Sequence, residues 1–319
     1  MGERNSLASI PLPTYEQGML TGKQGQRNGG EKFPCLHSFA RKEVGMPIHC
    51  PLIIRPIADG AFAEIDRLVM ACAYASQNAL GRLCDERVYE NDLAARLRAR
   101  GIADVQTQAP VTVTHGDFSK TYRLDLVVKQ MVYELKAVAN LTPEHDAQAI
   151  HYAALLAINR VKLLNFRSAN VVGRLIGAPF GRLDRAEVTC VEAGWRPLSD
   201  RCEGLKQLMR TLLADWGAYL EGRLYEEGLV HFHGGEEACI CRTPLVRDGI
   251  ELGTHRVQCH AIGVGFLVTT LKDSLGAHED HLRRLLRFTQ LRGLQWMNLN
   301  HATISFVTLE NSKGMAARE

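Results

Sequence analysis

The chain has 319 residues, 46% hydrophobic, 7% aromatic and 23% charged, with 38 Lys and Arg against 35 Asp and Glu. Its length sets an expectation of two domains with enough buried core to need no disulfide staple, and its composition excludes a wholly disordered chain. The net charge of +3 neither announces a nucleic-acid partner nor excludes one.

Residues 1–46 carry Gly, Gln, Asn and Lys with few aliphatics (TGKQGQRNGGEKFP) and read as a flexible lead, with Met46 as an alternative start. That stretch lacks the apolar core of a signal peptide, and no run approaches the roughly 18 apolar residues of a membrane helix. A cytoplasmic location with no membrane contact is expected. The nine cysteines are odd in number and irregularly spaced, which suits reduced thiols better than a disulfide framework.

From Asp59 the residues Phe62, Ile65, Val69 and Cys72 fall at helical spacing. Gly81 interrupts this helix, and Val88, Leu93 and Leu97 resume the period up to a stop at Gly101. Strand-like runs follow at 105–114, 121–128 and 131–138, the last two joined by a tight turn at 129–130, which predicts an antiparallel meander. Thr142-Pro143-Glu144 opens a helix running to about Asn159, with Thr at the cap and Pro in the first turn. Two apolar strands are expected at 161–166 and 171–176.

After a polar stretch at 177–203 the order recurs. A long helix begins at Cys202 and runs to about Gly228; LVHFHGG, EACICRTPLV, THRVQCHAI and GVGFLVTTL read as strands, HEDHLRRLLRFTQL as a helix, GLQWMNLN and ATISFVTL as strands. The pattern predicts a mixed α/β unit duplicated in tandem, with a first domain over 47–180 and a second over 181–319.

Side chains alternate along a strand, so Glu134 and Lys136 share a face while Leu135 points the other way. The short turn at 129–130 places Asp125 of the preceding strand within reach of Glu134. Buried charges need partners, and a divalent cation, Mg²⁺ or Mn²⁺, held by the two carboxylates and several waters would supply one. Lys136 would then serve the attacking water. On the next helix His145, Gln148 and Tyr152 form one polar stripe, with Gln148 and Tyr152 able to orient a phosphate or water and His145 read as a cap-region residue. Glu86, early in the second helix, would add a third carboxylate, although a Glu there is also favoured simply by the helix dipole.

These residues resemble the GxxExxY family of the PD-(D/E)XK nuclease-like superfamily: Gly81, Glu86 and Tyr89 in LGRLCDERVYE, Asp125 in YRLDLVV, Glu134 and Lys136 in YELKAV, Gln148 and Tyr152 in QAIHY, and LLNF at 163–166. The similarity spans residues 59–177, and Gln148 with Tyr152 is similar to the Q-x-x-x-Y element of RecB-like exonucleases. The resemblance implies a restriction-endonuclease-like core and metal-dependent cleavage of nucleic-acid phosphodiesters, with DNA favoured. It further implies that Glu86, Asp125 and Glu134 hold the metal, that Lys136 serves the water, and that Gln148 and Tyr152 support the catalytic geometry. At the first motif LGRLCDE stands where the family more usually has a Gly-Pro-Gly turn.

The second half offers no paired carboxylates in the matching strands, so it is expected to be a structural or DNA-gripping copy. Its helix HLRRLLRFTQLRG carries Arg283, Arg284 and Arg287, a stripe suited to phosphates and equally to a solvated face. His231, His233, Cys239 and Cys241 lie as H-x-H and C-x-C on runs read as strands, where a four-ligand zinc site is geometrically possible although the spacing is not that of a standard knuckle. The alternative to a nuclease is a catalytically inactive nucleic-acid-binding or complex-assembly module on the same fold; a homo-oligomer or protein partner is compatible with either.

Overall fold

The computed structural model describes residues 47–178 and 185–311; the expected lead at 1–46 lies outside them. A short strand β1 (Ile48–His49) precedes two helices, α1 (Asp59–Leu80) and α2 (Glu86–Ala99). The meander follows as β2 (Val105–His115), β3 (Phe118–Val128) and β4 (Met131–Lys136), then α3 (Pro143–Leu156), β5 (Arg160–Asn165) and β6 (Val172–Gly177). The second half comprises β7 (Thr189–Gly194), α4 (Cys202–Trp216), α5 (Gly222–Phe232), α6 (Glu236–Cys239), β8 (Ile240–Arg247), β9 (Ile250–Ala261), β10 (Val264–Thr269), α7 (Leu275–Arg287), β11 (Gly293–Asn300) and β12 (Thr303–Glu310).

Two six-stranded mixed sheets result, ordered β1-β2-β3-β4-β5-β6 and β7-β12-β11-β10-β9-β8. Within each half the sense of pairing is the same. The meander strands are antiparallel, the strand before the crossover helix pairs in parallel with the strand after it, and the last strand closes antiparallel. The duplicated order expected from the sequence is therefore present.

The structure departs from the sequence reading at several elements, among them α6, which opens a run read as strand. The run LVHFHGG is helical, because Leu224, Tyr225, Gly228 and Leu229 continue a helical apolar face. The long helix breaks at Gly217, whose φ of +81° ends α4 in a conformation that suits glycine; a Cβ there would also stand 2.9 Å from the Arg185 carbonyl oxygen. The edge strand β7 lies in the stretch read as polar connection.

Side-chain locks repeat as well as strands. Tyr89 donates its hydroxyl to the carbonyl of Gly81 and Tyr225 does the same to Gly217, each across eight residues and each onto the glycine that ends the preceding helix. Asn165 at the end of β5 accepts from Val138 N–H and donates to its carbonyl, and Asn298 in β11 clamps Leu271 in the same way, 27 residues apart in both halves. Asn165→Ala strands both backbone groups of Val138 in a buried corner and is expected to cost about 2 kcal/mol in urea denaturation. Asn298→Ala should cost a similar amount.

The layers follow from which faces are apolar. Helices α1 and α2 cover one face of the first sheet through Val69, Tyr89, Leu93, Tyr133, Leu135 and Phe166. On the other face, α3 and the pair α4/α5 share one continuous core that reaches the second sheet, with Trp216, Leu212, Tyr225, Phe266 and Phe306 among its members. Helix α7 covers the outer face of the second sheet through Leu282 and Leu286. No described helix is long and apolar enough to cross a membrane, and Cys50, Cys72, Cys84, Cys202, Cys239, Cys241 and Cys259 are free thiols.

Candidate active site

The site forms where β3 and β4 part. Their antiparallel ladder ends at Leu126 opposite Tyr133, leaving Asp125 and Glu134 as the next facing positions. The Leu135 N–H, which has lost its strand partner there, is taken by Asp125 Oδ2 at 2.9 Å, so a side chain fills the gap in the ladder and the carboxylate is held over β4.

Asp125 also stands where the β2–β3 ribbon turns over. Gln108, directly across from it, has a φ of +54° in mid-strand. Before this point the buried residues Val105, Leu126 and Val128 belong to the core under α1 and α2; beyond it Ala109, Val111, Val113 and Leu124 belong to the core on the opposite face. Strained backbone of this kind persists where surrounding contacts over-determine it. Here Gln108 Nε2 donates to Glu90 Oε2 at 2.7 Å and reaches Asp125 Oδ1 at 3.4 Å. Sequence reasoning missed both Gln108 and Glu90. Glu90 was within reach of it, being one helical turn after Glu86, whereas nothing in a polar residue of a half-buried strand marks Gln108.

Lys136 Nζ lies 2.6 Å from Glu134 Oε1 and 3.9 Å from Glu86 Oε1, at the N-terminal end of α2. Glu134 is only 1% exposed, and its second oxygen, Oε2, is buried without a hydrogen-bond partner. Burial and then the Asp125 charge push the Glu134 carboxyl up to about 8, against the pull of Lys136. Burial also raises Asp125, Glu86 and Glu90. Among the described residues the ion pairs of these four carboxyls are made with Lys136 and with Arg87, the latter bonded to Glu90 at 2.6 Å.

The polar stripe of α3 stands beside this cluster. Gln148 Nε2 donates to Tyr152 Oη at 3.2 Å, which donates to the Arg123 carbonyl at 3.3 Å. The hydroxyl of Tyr152 is held well above its ordinary value first by burial and next by the charge of Glu134. His145 accepts the Thr142 N–H at 2.9 Å and closes a capping box, the cap-region role read from sequence. The second half props the outer wall: Glu221, the N-cap of α5, accepts from Tyr122 at 2.6 Å and from Lys120 at 3.2 Å, and the Tyr122 ring packs on His151.

Residues 63–175 match the family model of the PD-(D/E)XK nuclease superfamily. The match runs from α1 into β6 and contains every acid, lysine, glutamine and tyrosine of the cluster. No curated protein and no solved structure matches the chain. In the half that follows the matched segment, the latch tyrosine and the clamp asparagine mark equivalent places. Gly222 stands where Glu86 does, Val257 where Asp125 does, Leu267 where Glu134 does and Thr269 where Lys136 does. The locks are kept and the charges are absent.

Among the described residues no group of three or more His, Cys, Asp or Glu is arranged to hold an ion. For the proposed zinc ligands the reason is local: His231 and His233 lie at the end of a helix, not on one strand face. His231 pairs with Asp117 at 2.9 Å, His233 Nδ1 meets the Leu229 carbonyl, and Cys239 Sγ contacts the carbonyls of Val230 and His233. At the carboxylate cluster the orphaned Glu134 Oε2 and the neighbouring Asp125 are hard oxygen donors, and a Mg²⁺-sized ion takes one or two carboxylates with waters. The residues fit that group. Arg283, Arg284 and Arg287 are not brought to the cluster; they lie on α7, outside the second sheet, with Arg283 bonded to Glu279.

The raised Glu134 fixes the sign of a pH effect. A carboxyl that folds with a pKa above its usual value stabilises the chain least when ionised, so the metal-free protein loses stability as pH rises from about 4.5 towards 8. An ion bound by Glu134 must displace its proton below that point. Mn²⁺ affinity, read by titration calorimetry, is expected to rise with pH by up to about tenfold per unit and to level off above about 8.

Proposed function

We propose that the nuclease domain hydrolyses DNA phosphodiester bonds with Mg²⁺ or Mn²⁺ at Asp125 and Glu134, and that the finer likeness to the GxxExxY family, through Gly81, Glu86 and Tyr89, reflects the same activity. The observation that carries it is the pairing of half-buried Asp125 with Glu134, a residue 1% exposed whose Oε2 has no hydrogen-bond partner, beside Lys136. When bound there, the ion supplies charge for the phosphoryl oxygens and acidifies a water.

The chain's own residues do the rest. Asp125, anchored by Leu135 N–H, and Glu134 present their oxygens on one side of the parting strands. Glu86 borders the same space from the N-terminal end of α2 and completes the acid set that the resemblance implies. Lys136 holds a proton on Nζ between Glu134 and Glu86 and can give a hydrogen bond to the incoming water or the phosphoryl oxygen. Gln148 and Tyr152 hold the opposite wall in place, with the Gln148 carbonyl and remaining N–H free to orient a phosphate. Water adds to phosphorus, one P–O ester bond breaks, and a phosphomonoester and a hydroxyl result.

A second reading, a catalytically inactive nucleic-acid-binding module, draws support from the ion pair that Lys136 already makes with Glu134 and from the charge-free copy in the second half. Cleavage assays on single- and double-stranded DNA and on RNA, with Mn²⁺ or with chelator, decide between them. Mn²⁺-dependent cleavage by wild type that is lost in Lys136→Ala supports the nuclease. Binding without cleavage of any substrate supports the module, and preferential RNA cleavage moves the substrate class.

A further inference from the structure

A cluster of buried and half-buried acids repels the polyanion it is proposed to cut, so the strand must be drawn in by cations around it. Four arginines supply them from four separate segments. Arg82 follows the helix-ending Gly81 and Arg167 follows Phe166; the Tyr89 ring, stacked on Phe166 at 4.5 Å with its hydroxyl on Gly81, brings both segments to one corner. That corner adjoins the cluster, because Phe166 N–H bonds the Lys136 carbonyl at 2.8 Å and Gln77 holds the carbonyls of Phe166 and Ser168. Arg87 follows Glu86 on α2. Arg123 lies two residues before Asp125, and its carbonyl accepts the Tyr152 hydroxyl.

All four are exposed and keep donors to spare. Arg82 and Arg167 form no ion pair among the described residues; Arg123 gives one N–H to the Gln108 carbonyl at 3.3 Å and Arg87 one to Glu90. A guanidinium carries five N–H groups in a fork suited to phosphate. We infer that Arg82, Arg123 and Arg167 form the rim that grips the phosphates of a nucleic-acid strand on either side of the scissile bond, and that the arginines of α7 do not. The inference rests on the nuclease reading of the same site and names its substrate-holding surface. Arg87 is set apart because its removal would leave the buried Glu90 without its cation.

The test is fluorescence anisotropy of the full chain with labelled single- and double-stranded oligonucleotides in chelator, where binding is read without cleavage. Salt is varied between about 50 and 200 mM, and each phosphate contact contributes about 0.9 to the slope of log affinity against log salt on a duplex, about 0.7 on a single strand. The variant Arg82→Ala/Arg123→Ala/Arg167→Ala is expected to lower the slope by about two to three units on either strand form, while Arg284→Ala/Arg287→Ala leaves it unchanged. Single Arg82→Ala and Arg167→Ala variants, both at exposed positions, should each remove about one unit and guard against loss of fold in the triple. An unchanged slope in the triple variant overturns the rim, as does a loss confined to the α7 variant or failure of wild type to bind any oligonucleotide. A reduced slope in a protein that cleaves nothing with Mn²⁺ keeps the rim and overturns the nuclease.

Discussion

Asp125→Asn is expected to lower Mn²⁺-dependent cleavage by at least about 10³-fold while leaving the fold intact. The amide oxygen of Asn can still accept the Leu135 N–H that now bonds Asp125 Oδ2 at 2.9 Å, so the gap in the β3–β4 ladder stays filled. What disappears is one of two adjacent negative charges. Because the Asp125 charge is among the causes that push the Glu134 carboxyl up to about 8, its removal relieves the metal-free protein. The variant should therefore melt at a higher temperature than wild type without metal and gain less on adding Mn²⁺, the trade of stability for activity that charged sites make. Steady-state cleavage and thermal melts with and without Mn²⁺ read both effects on one preparation.

Trp216→Ala is expected to cost about 3–5 kcal/mol and to destabilise both halves together. Trp216 is fully buried at the end of α4, donates its indole N–H to the Thr114 carbonyl of β2 at 2.9 Å, and packs against Phe118 of the first half and Tyr225 of the second. Gly228 is fitted to it so closely that a Cβ there would stand 2.8 Å from the indole ring. The second-half helices thus complete the core of the first sheet, and urea unfolding followed by tryptophan fluorescence and by far-ultraviolet circular dichroism should give one coincident transition in wild type. Two separate transitions would show that the first half stands without its partner half.

That packing gives the charge-free copy a physical task. Its helices cover the inner face of the first sheet, and its Glu221 props Tyr122 and, through the Tyr122 ring, the wall on which Tyr152 sits. The copy keeps the tyrosine latch and the asparagine clamp because these close the corners of the fold. It lacks acids at the four equivalent positions, where ionised groups without a cation would cost stability.

The facing of Asp125 and Glu134 was legible in the sequence because a two-residue turn sets register, and register alone decides that these positions lie opposite. Duplication was legible in element order, although the repeated locks, each a pair of residues at fixed separation, emerge only when hydrogen bonds are known. The run Leu229-Val230-His231-Phe232-His233 misled because it alternates apolar and polar residues over a few positions, while the apolar face of its helix is laid down earlier, from Leu224. The geometric possibility of a zinc site lost its premise with it, since His231 and His233 do not share a strand face. Gln108 was invisible because glutamine carries no preference for positive φ; tertiary contacts with Glu90 and Asp125 hold it there. The three arginines proposed for the rim stand far apart in the sequence, at 82, 123 and 167, whereas Arg283, Arg284 and Arg287 are conspicuous as a run.

The central claim is that two carboxylates from adjoining strands make a seat for a divalent ion, and calorimetric titration of Mn²⁺ into wild type and Asp125→Asn at about pH 8 tests it most directly. One Mn²⁺ bound per wild-type chain, with little or no binding to the variant, is the predicted result. Equal binding by the two proteins, or none by wild type, would contradict it.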